Sequence, residues 1–135
     1  MLTRSALVIL AVPFSCVAQL PLHLLTYRHT VVDCSNRPQL CKGGQQSQAE
    51  QLQALLPPGV LVVKALNSLS AHQLESGDHG GRLDLAMASN SPGAKRVVAS
   101  CVERMGFRAV DMGDLQVARQ VGSDSGELLV LTLYS

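Results

Sequence analysis

The stretch Leu61 to His72 reads LVVKALNSLSAH, and its interpretation decides the fold. Leu61, Val62 and Val63 are apolar and mostly β-branched, the composition of a buried strand. The run then breaks into the small or polar residues Asn67, Ser68, Ser70 and Ala71. In open α/β sheets, ligands lie outside the carboxyl ends of the strands. Two other segments repeat the pattern. LVILAV (Leu7 to Val12) runs into Pro13, Phe14 and Ser15, and TVVDCSN (Thr30 to Asn36) ends in Ser35 and Asn36. Three such strand ends predict one shared crevice.

Working outward, helical segments alternate with the strands. Phe14 to Leu25 reads as a helix interrupted by Pro21. Ser47 to Leu56 reads as a helix with a capping box, Ser47 paired with Glu50 three residues on. Pro57, Pro58 and Gly59 end it, and a third strand follows over Val60 to Ala65. Leu83 to Ala88 is a fourth strand. Ser91 caps a helix from Pro92 to Met105, with apolar residues at i, i+3, i+4 and i+7 spacing and Gly106 as its stop. A fifth strand spans Phe107 to Val110, and a turn with a short helix spans Asp111 to Gln120. Short aliphatic strands alternating with helices predict an α/β fold, a parallel sheet with helices on both faces. The prediction is one domain over residues 1–120, with residues 121–135 an unassigned tail without a nameable packing partner.

The totals set limits. A chain of 135 residues with 47% apolar content can bury one core, and 3% aromatic content without Trp makes it aliphatic. A net charge of +1 gives no electrostatic case for nucleic acid. No stretch reaches the roughly 20 apolar residues needed to span a bilayer. Cys16, Cys34, Cys41 and Cys101 form no C-x-x-C pair and have no His at zinc-finger spacing, which favours reduced thiols over a disulfide framework or a metal site. The first 19 residues imitate a secretory signal, with Arg4, the run Ala6 to Val12 and a cleavage-like Cys16-Val17-Ala18. A buried strand explains the same residues.

Lone candidates are few. Lys64 inside a strand reads as a snorkelling side chain. His23 reads as a surface residue, and His29 carries no assignable role. Asp78 and His79 lie in a Gly-rich loop and read as solvated. The chain has no G-x-G-x-x-G, no Walker A and no G-x-S-x-G motif.

The segments VVKALNSLSAHQL, SPGAKRVVASCVERMGFRAVDMGDL and VVDCSN nevertheless carry a resemblance. Together they resemble the cytosolic oxidoreductase domain of the STEAP metalloreductases and, more distantly, the deazaflavin-dependent NADP reductases of prokaryotes. The likeness runs from about Leu7 to about Arg119. It implies a partial Rossmann-like domain using NADPH as hydride donor to a flavin, for ferric or cupric reduction. The implied cofactor-binding positions are Val12, Pro13, Phe14, Ser15, Cys16, Val17, Ala18, Gln19, Asn36, Asn67 and Ala71. Several features depart from the family. The Gly-rich first unit and the haem-bearing membrane domain have no counterpart in these residues. His72 stands where the family has a flavin-contacting Trp, Gly80 where it has an Asp, and Leu66 where it has a Phe. The resemblance therefore implies NADPH more strongly than FAD, no haem in this chain, and a domain weak or inactive alone. It also implies a cytoplasmic location, at the cytosolic face of endosomal or plasma membrane, and a homo- or hetero-oligomer with full-length relatives. Alternatives are a non-catalytic module docking on such a relative, or a small secreted protein.

Overall fold

A computed structural model describes residues 6–35, 46–66, 84–116 and 132–133. They form a six-stranded sheet of order β1-β2-β3-β4-β5, with β6 paired to β4. The strands are β1 (Leu7–Leu10), β2 (Thr30–Asp33), β3 (Leu61–Lys64), β4 (Asp84–Ala88), β5 (Arg108–Gly113) and β6 (Thr132–Leu133). Strands β1, β2 and β3 run parallel, in a register that sets Leu10 beside Asp33 and Asp33 beside Lys64. β4 and β5 are also parallel.

Side-chain alternation along the strands divides the core into two layers, because successive residues point to opposite faces. Val31 and Val62 pack with Ala49, Leu52, Val17 and Leu25 on one face. Val32 and Val63 pack with Ala94, Val98, Val102 and Phe107 on the other. Helix α1 (Gln48–Leu55) supplies Ala49 and Leu52 to the first layer, and helix α2 (Pro92–Arg104) supplies Ala94, Val98 and Val102 to the second. Helices thus cover both faces, as the alternating pattern predicts. Each fully buried Val or Leu contributes about 1.5–3 kcal/mol relative to exposure.

Both helix starts form as their sequences dictate. Ser47 Oγ accepts from Glu50 N at 3.1 Å, and Glu50 Oε2 accepts from Ser47 N at 2.7 Å, completing the capping box. Ser91 Oγ accepts from Ala94 N, with Pro92 in the first turn. Gly106 follows α2 at φ +94°, a left-handed backbone that suits glycine.

Five expectations are corrected. Phe14 to Leu25 is not one α-helix but two 3-10 helices, Phe14–Gln19 and Leu22–Leu24. Pro21 sits at the break, where it cannot donate the backbone bond an α-helix would need. β1 is not fully buried: Ile9 is 53% exposed, because it lies on the α2 face of the edge strand while its neighbours Val32 and Val63 take that cover. The sheet is not wholly parallel. β3 and β4 pair in the antiparallel sense, at Lys64 and Ala88 alone. Asp111 to Gly113 continue β5 rather than starting a turn, and within the tail Thr132–Leu133 do have a partner, as β6 on β4.

Candidate functional site

The parallel register of β1, β2 and β3 brings their carboxyl ends to one edge of the sheet. After β1 the chain turns at once into the 3-10 helix Phe14–Gln19. Of the implied cofactor positions there, Pro13, Ser15, Ala18 and Gln19 are exposed, and Val12, Phe14 and Cys16 are half-buried. Val17 is buried, and Val12 and Phe14 pack against the same apolar layer. These three side chains hold the segment to the sheet, while Pro13, Ser15, Ala18 and Gln19 present small or polar groups to solvent. Asn36, Asn67 and Ala71 lie outside the described residues, as do His72, Asp78, His79, Gly80 and Cys41.

At the ends of β2 and β3 the structure reveals a cluster that the sequence reading missed. Lys64 is not a snorkelling side chain. It is buried, and its Nζ lies 3.1 Å from Asp33 Oδ2, itself only 2% exposed. Lys64 Nζ also donates to the Ser35 carbonyl. Asp33 Oδ1 accepts from Ser35 N at 2.9 Å and from Ser35 Oγ at 2.5 Å. Asp33 and Lys64 are register partners, so the parallel pairing itself sets them side by side. The signal was present as one Asp and one Lys, each closing an apolar strand run. Only the register shows that they meet.

Cys34 lies between Asp33 and Ser35, and alternation turns its side chain to the α2 face. Burial, followed by the adjacent Asp33 charge and against the opposing pull of Lys64, pushes its thiol up to about 12. A thiol held protonated is a poor nucleophile. Leu66, just beyond β3, has φ +61°, a left-handed conformation uncommon for a residue with a β-carbon. Such strain clusters at functional sites.

The end of β4 lies beside β3. Ser89 Oγ donates to the Val62 carbonyl at 2.6 Å. Asn90 Oδ1 accepts from Leu115 N at 3.0 Å, and Ser47 Oγ donates to the Leu115 carbonyl at 3.2 Å. Leu115 is fully buried in the α1 layer and so ties the turn after β5 to the start of α1. His23 is exposed, as its sequence context predicts. His29 is buried and has a local structural role. Its Nδ1 accepts from Thr26 N at 2.8 Å, closing the turn into β2. Cys16, Cys34 and Cys101 are free thiols. Among the described residues, no group of three or more His, Cys, Asp or Glu side chains could hold a metal ion. Among them, too, no helix is long and apolar enough to cross a membrane.

No family model matches the chain. Several curated relatives do, among them two metalloreductases. The metalloreductase STEAP3 of Rattus norvegicus is 39% identical over 77 residues, 57% of this chain and 16% of that protein. The metalloreductase STEAP2 of Homo sapiens is 30% identical over 99 residues, 73% of this chain and 20% of that protein. The chain thus matches about a fifth or less of these relatives' length. Among solved structures, a hypothetical protein from Sinorhizobium meliloti superposes with a TM-score of 0.76 at 32% identity, covering 94% of this chain and 65% of that one. A protein from Arthrobacter sp., provisionally assigned as an F420-dependent NADP-reductase, superposes with a TM-score of 0.74 at 25% identity, covering 88% and 60%. By sequence and by fold, the chain is a STEAP-like domain with a Rossmann-like α/β fold, similar to a limited segment of the metalloreductases.

Proposed function

We propose that this chain binds NADPH along the carboxyl edge of β1, β2 and β3 and serves as the hydride-donor domain of a STEAP-like oxidoreductase. The observation that carries this reading is the shared register of Leu10, Asp33 and Lys64, which aligns the three strand ends as one ledge. Edges of this kind are where open α/β sheets take their ligands. The exposed Pro13, Ser15, Ala18 and Gln19 fit the nicotinamide half. Small side chains permit close approach, and the Ser15 hydroxyl and Gln19 amide offer hydrogen bonds. NADPH, when bound, would supply a hydride to an acceptor such as a flavin and leave as NADP+. Ferric or cupric ion reduction would follow in a membrane partner of the kind the metalloreductase relatives suggest, with this domain on the cytosolic side. Asn36, Asn67 and Ala71 complete the proposed contact set.

Titration with NADPH, followed by nicotinamide fluorescence and thermal shift, tests the reading. Saturable binding at micromolar levels supports it. Absence of binding up to millimolar concentration, by a folded chain, overturns it.

A second reading has its own observation. Among the described residues, β1 is an apolar edge strand with Ile9 exposed and no charged residue in its LVIL sequence, whereas β5 carries Arg108 and Asp111. Uncharged edges invite strand addition. On this reading the chain is a non-catalytic module that docks on a longer relative through β1. Sedimentation of the chain alone and mixed with such a relative distinguishes the two. A monomer that never pairs counts against docking.

A further inference from the structure

The ladder between the parallel strands ends at Cys34 and Ala65. Cys34 N donates to the Leu10 carbonyl at 3.0 Å, and Ala65 N donates to the Asp33 carbonyl at 2.9 Å. Side chains take over from there. Ser35 N and Ser35 Oγ both donate to Asp33 Oδ1, and the Ser35 carbonyl accepts from Lys64 Nζ. One residue, the first beyond the ladder, thus has its amide, hydroxyl and carbonyl all engaged by the Asp33–Lys64 pair.

We propose that Asp33 and Lys64 form a positioning clamp that fixes the direction in which the chain leaves β2. Its consequence for nucleotide binding rests on the NADPH reading above. A buried ion pair is a poor device for stability alone, because desolvation of both charges offsets much of their attraction. An apolar pair of similar volume would fill the α1 layer beside Leu10 as well. The charged pair adds donors and acceptors that grip the backbone of Ser35. The pair acts through Ser35 and is not itself a contact to the cofactor. The strained backbone of Leu66 lies on the adjacent strand, two residues past Lys64, so both strand ends are held in specified conformations.

Backbone amide hydrogen exchange and NADPH titration, on the unmodified chain and on the double variant Asp33→Leu/Lys64→Met, test the clamp. Neutralising both partners avoids leaving one buried charge alone. In the unmodified chain, Ser35 N–H is expected to exchange within about tenfold of the ladder amides of Cys34 and Ala65. In the double variant, Ser35 is expected to exchange at least about tenfold faster while Cys34 and Ala65 are unchanged, and NADPH affinity to fall by about tenfold or more with the melting temperature preserved. Ser35 exchanging at an unprotected rate in the unmodified chain overturns the clamp, and this arm needs no variant to fold. A double variant with Ser35 still protected overturns it too. A loosened Ser35 with unchanged NADPH affinity overturns the positioning role. If the unmodified chain binds no NADPH, the functional reading fails, while the exchange comparison still decides the clamp.

Discussion

The Gln53 side chain accepts a hydrogen bond from the Val62 backbone at 2.9 Å, reaching from α1 to the flank of β3 that faces β4. Its Nε2 donates to the Val60 carbonyl at 2.8 Å on the same flank. Ser89 Oγ serves the Val62 carbonyl. Side chains therefore replace the sheet ladder where β3 and β4 meet only at Lys64 and Ala88. Gln53→Leu leaves a buried N–H and C=O without these partners and is expected to cost about 1–3 kcal/mol. Urea denaturation with unchanged m-value checks this, and a loss well under 0.5 kcal/mol, a range typical of surface changes, would contradict it.

Gly59 has φ +85°, and a β-carbon there would fall 2.8 Å from Tyr27 Cβ. Backbone strain and a contact too close for carbon atoms act together. Gly59→Ala is expected to destabilise the fold by about 1–3 kcal/mol. The measurement is the shift in thermal or urea midpoint, and an unchanged midpoint would show that the turn has another conformation.

The Cys34 thiol gives a pH signature. Its ordinary value of 9.0 is pushed up to about 12 in the fold, so the folded chain holds the proton longer than the unfolded chain. This contribution is fully present below pH 9.0 and is lost as pH rises towards about 12. Stability is expected to decline across that window, and Cys34→Ala is expected to flatten the decline. Urea midpoints at stepped alkaline pH, compared between the two chains, decide it.

Lys95 Nζ lies 2.8 Å from Asp111 Oδ1 at the start of α2. Burial raises the Asp111 carboxyl, but the hydrogen bond from Lys95, the Gly113 N–H and the Lys95 charge together hold it below its ordinary value. Its contribution is present above the ordinary carboxylate value of 3.8 and is lost as pH falls through the lowered folded value. The Asp111 side chain is 56% exposed, so Lys95→Met is expected to cost only about 0.2–1 kcal/mol at neutral pH. A larger loss, measured by denaturation at low salt, would mean the pair is better shielded than its exposure implies.

The legible parts of this chain were those written in short-range chemistry. Ser47 with Glu50, and Ser91 with Pro92, announced both helix starts, because capping depends on residues within one turn. The strand cores were legible as aliphatic runs. Strand pairing was not. Whether β3 meets β4 in the parallel or antiparallel sense depends on the path between them, which local pattern does not record. Lys64 was misread for the same reason. Its partner lies 31 residues away, and only the β2–β3 register sets them together. Exposure of Ile9 likewise follows from its strand's place at the edge, which a four-residue apolar run cannot announce. The candidate ledge itself was legible, since each of its strands ends in polar or small residues.

The left-handed backbone at Leu66 also bears on how this position can vary. The conformational penalty falls on any residue with a β-carbon, so a Phe substituted for Leu66 would bear it as Leu66 does. Exchange between them leaves the penalty unchanged and alters only the apolar bulk delivered to the α2 layer, against which Leu66 packs. Glycine would relieve the backbone and forfeit the anchor. A large apolar side chain at this position thus couples the left-handed strand exit to the α2 layer.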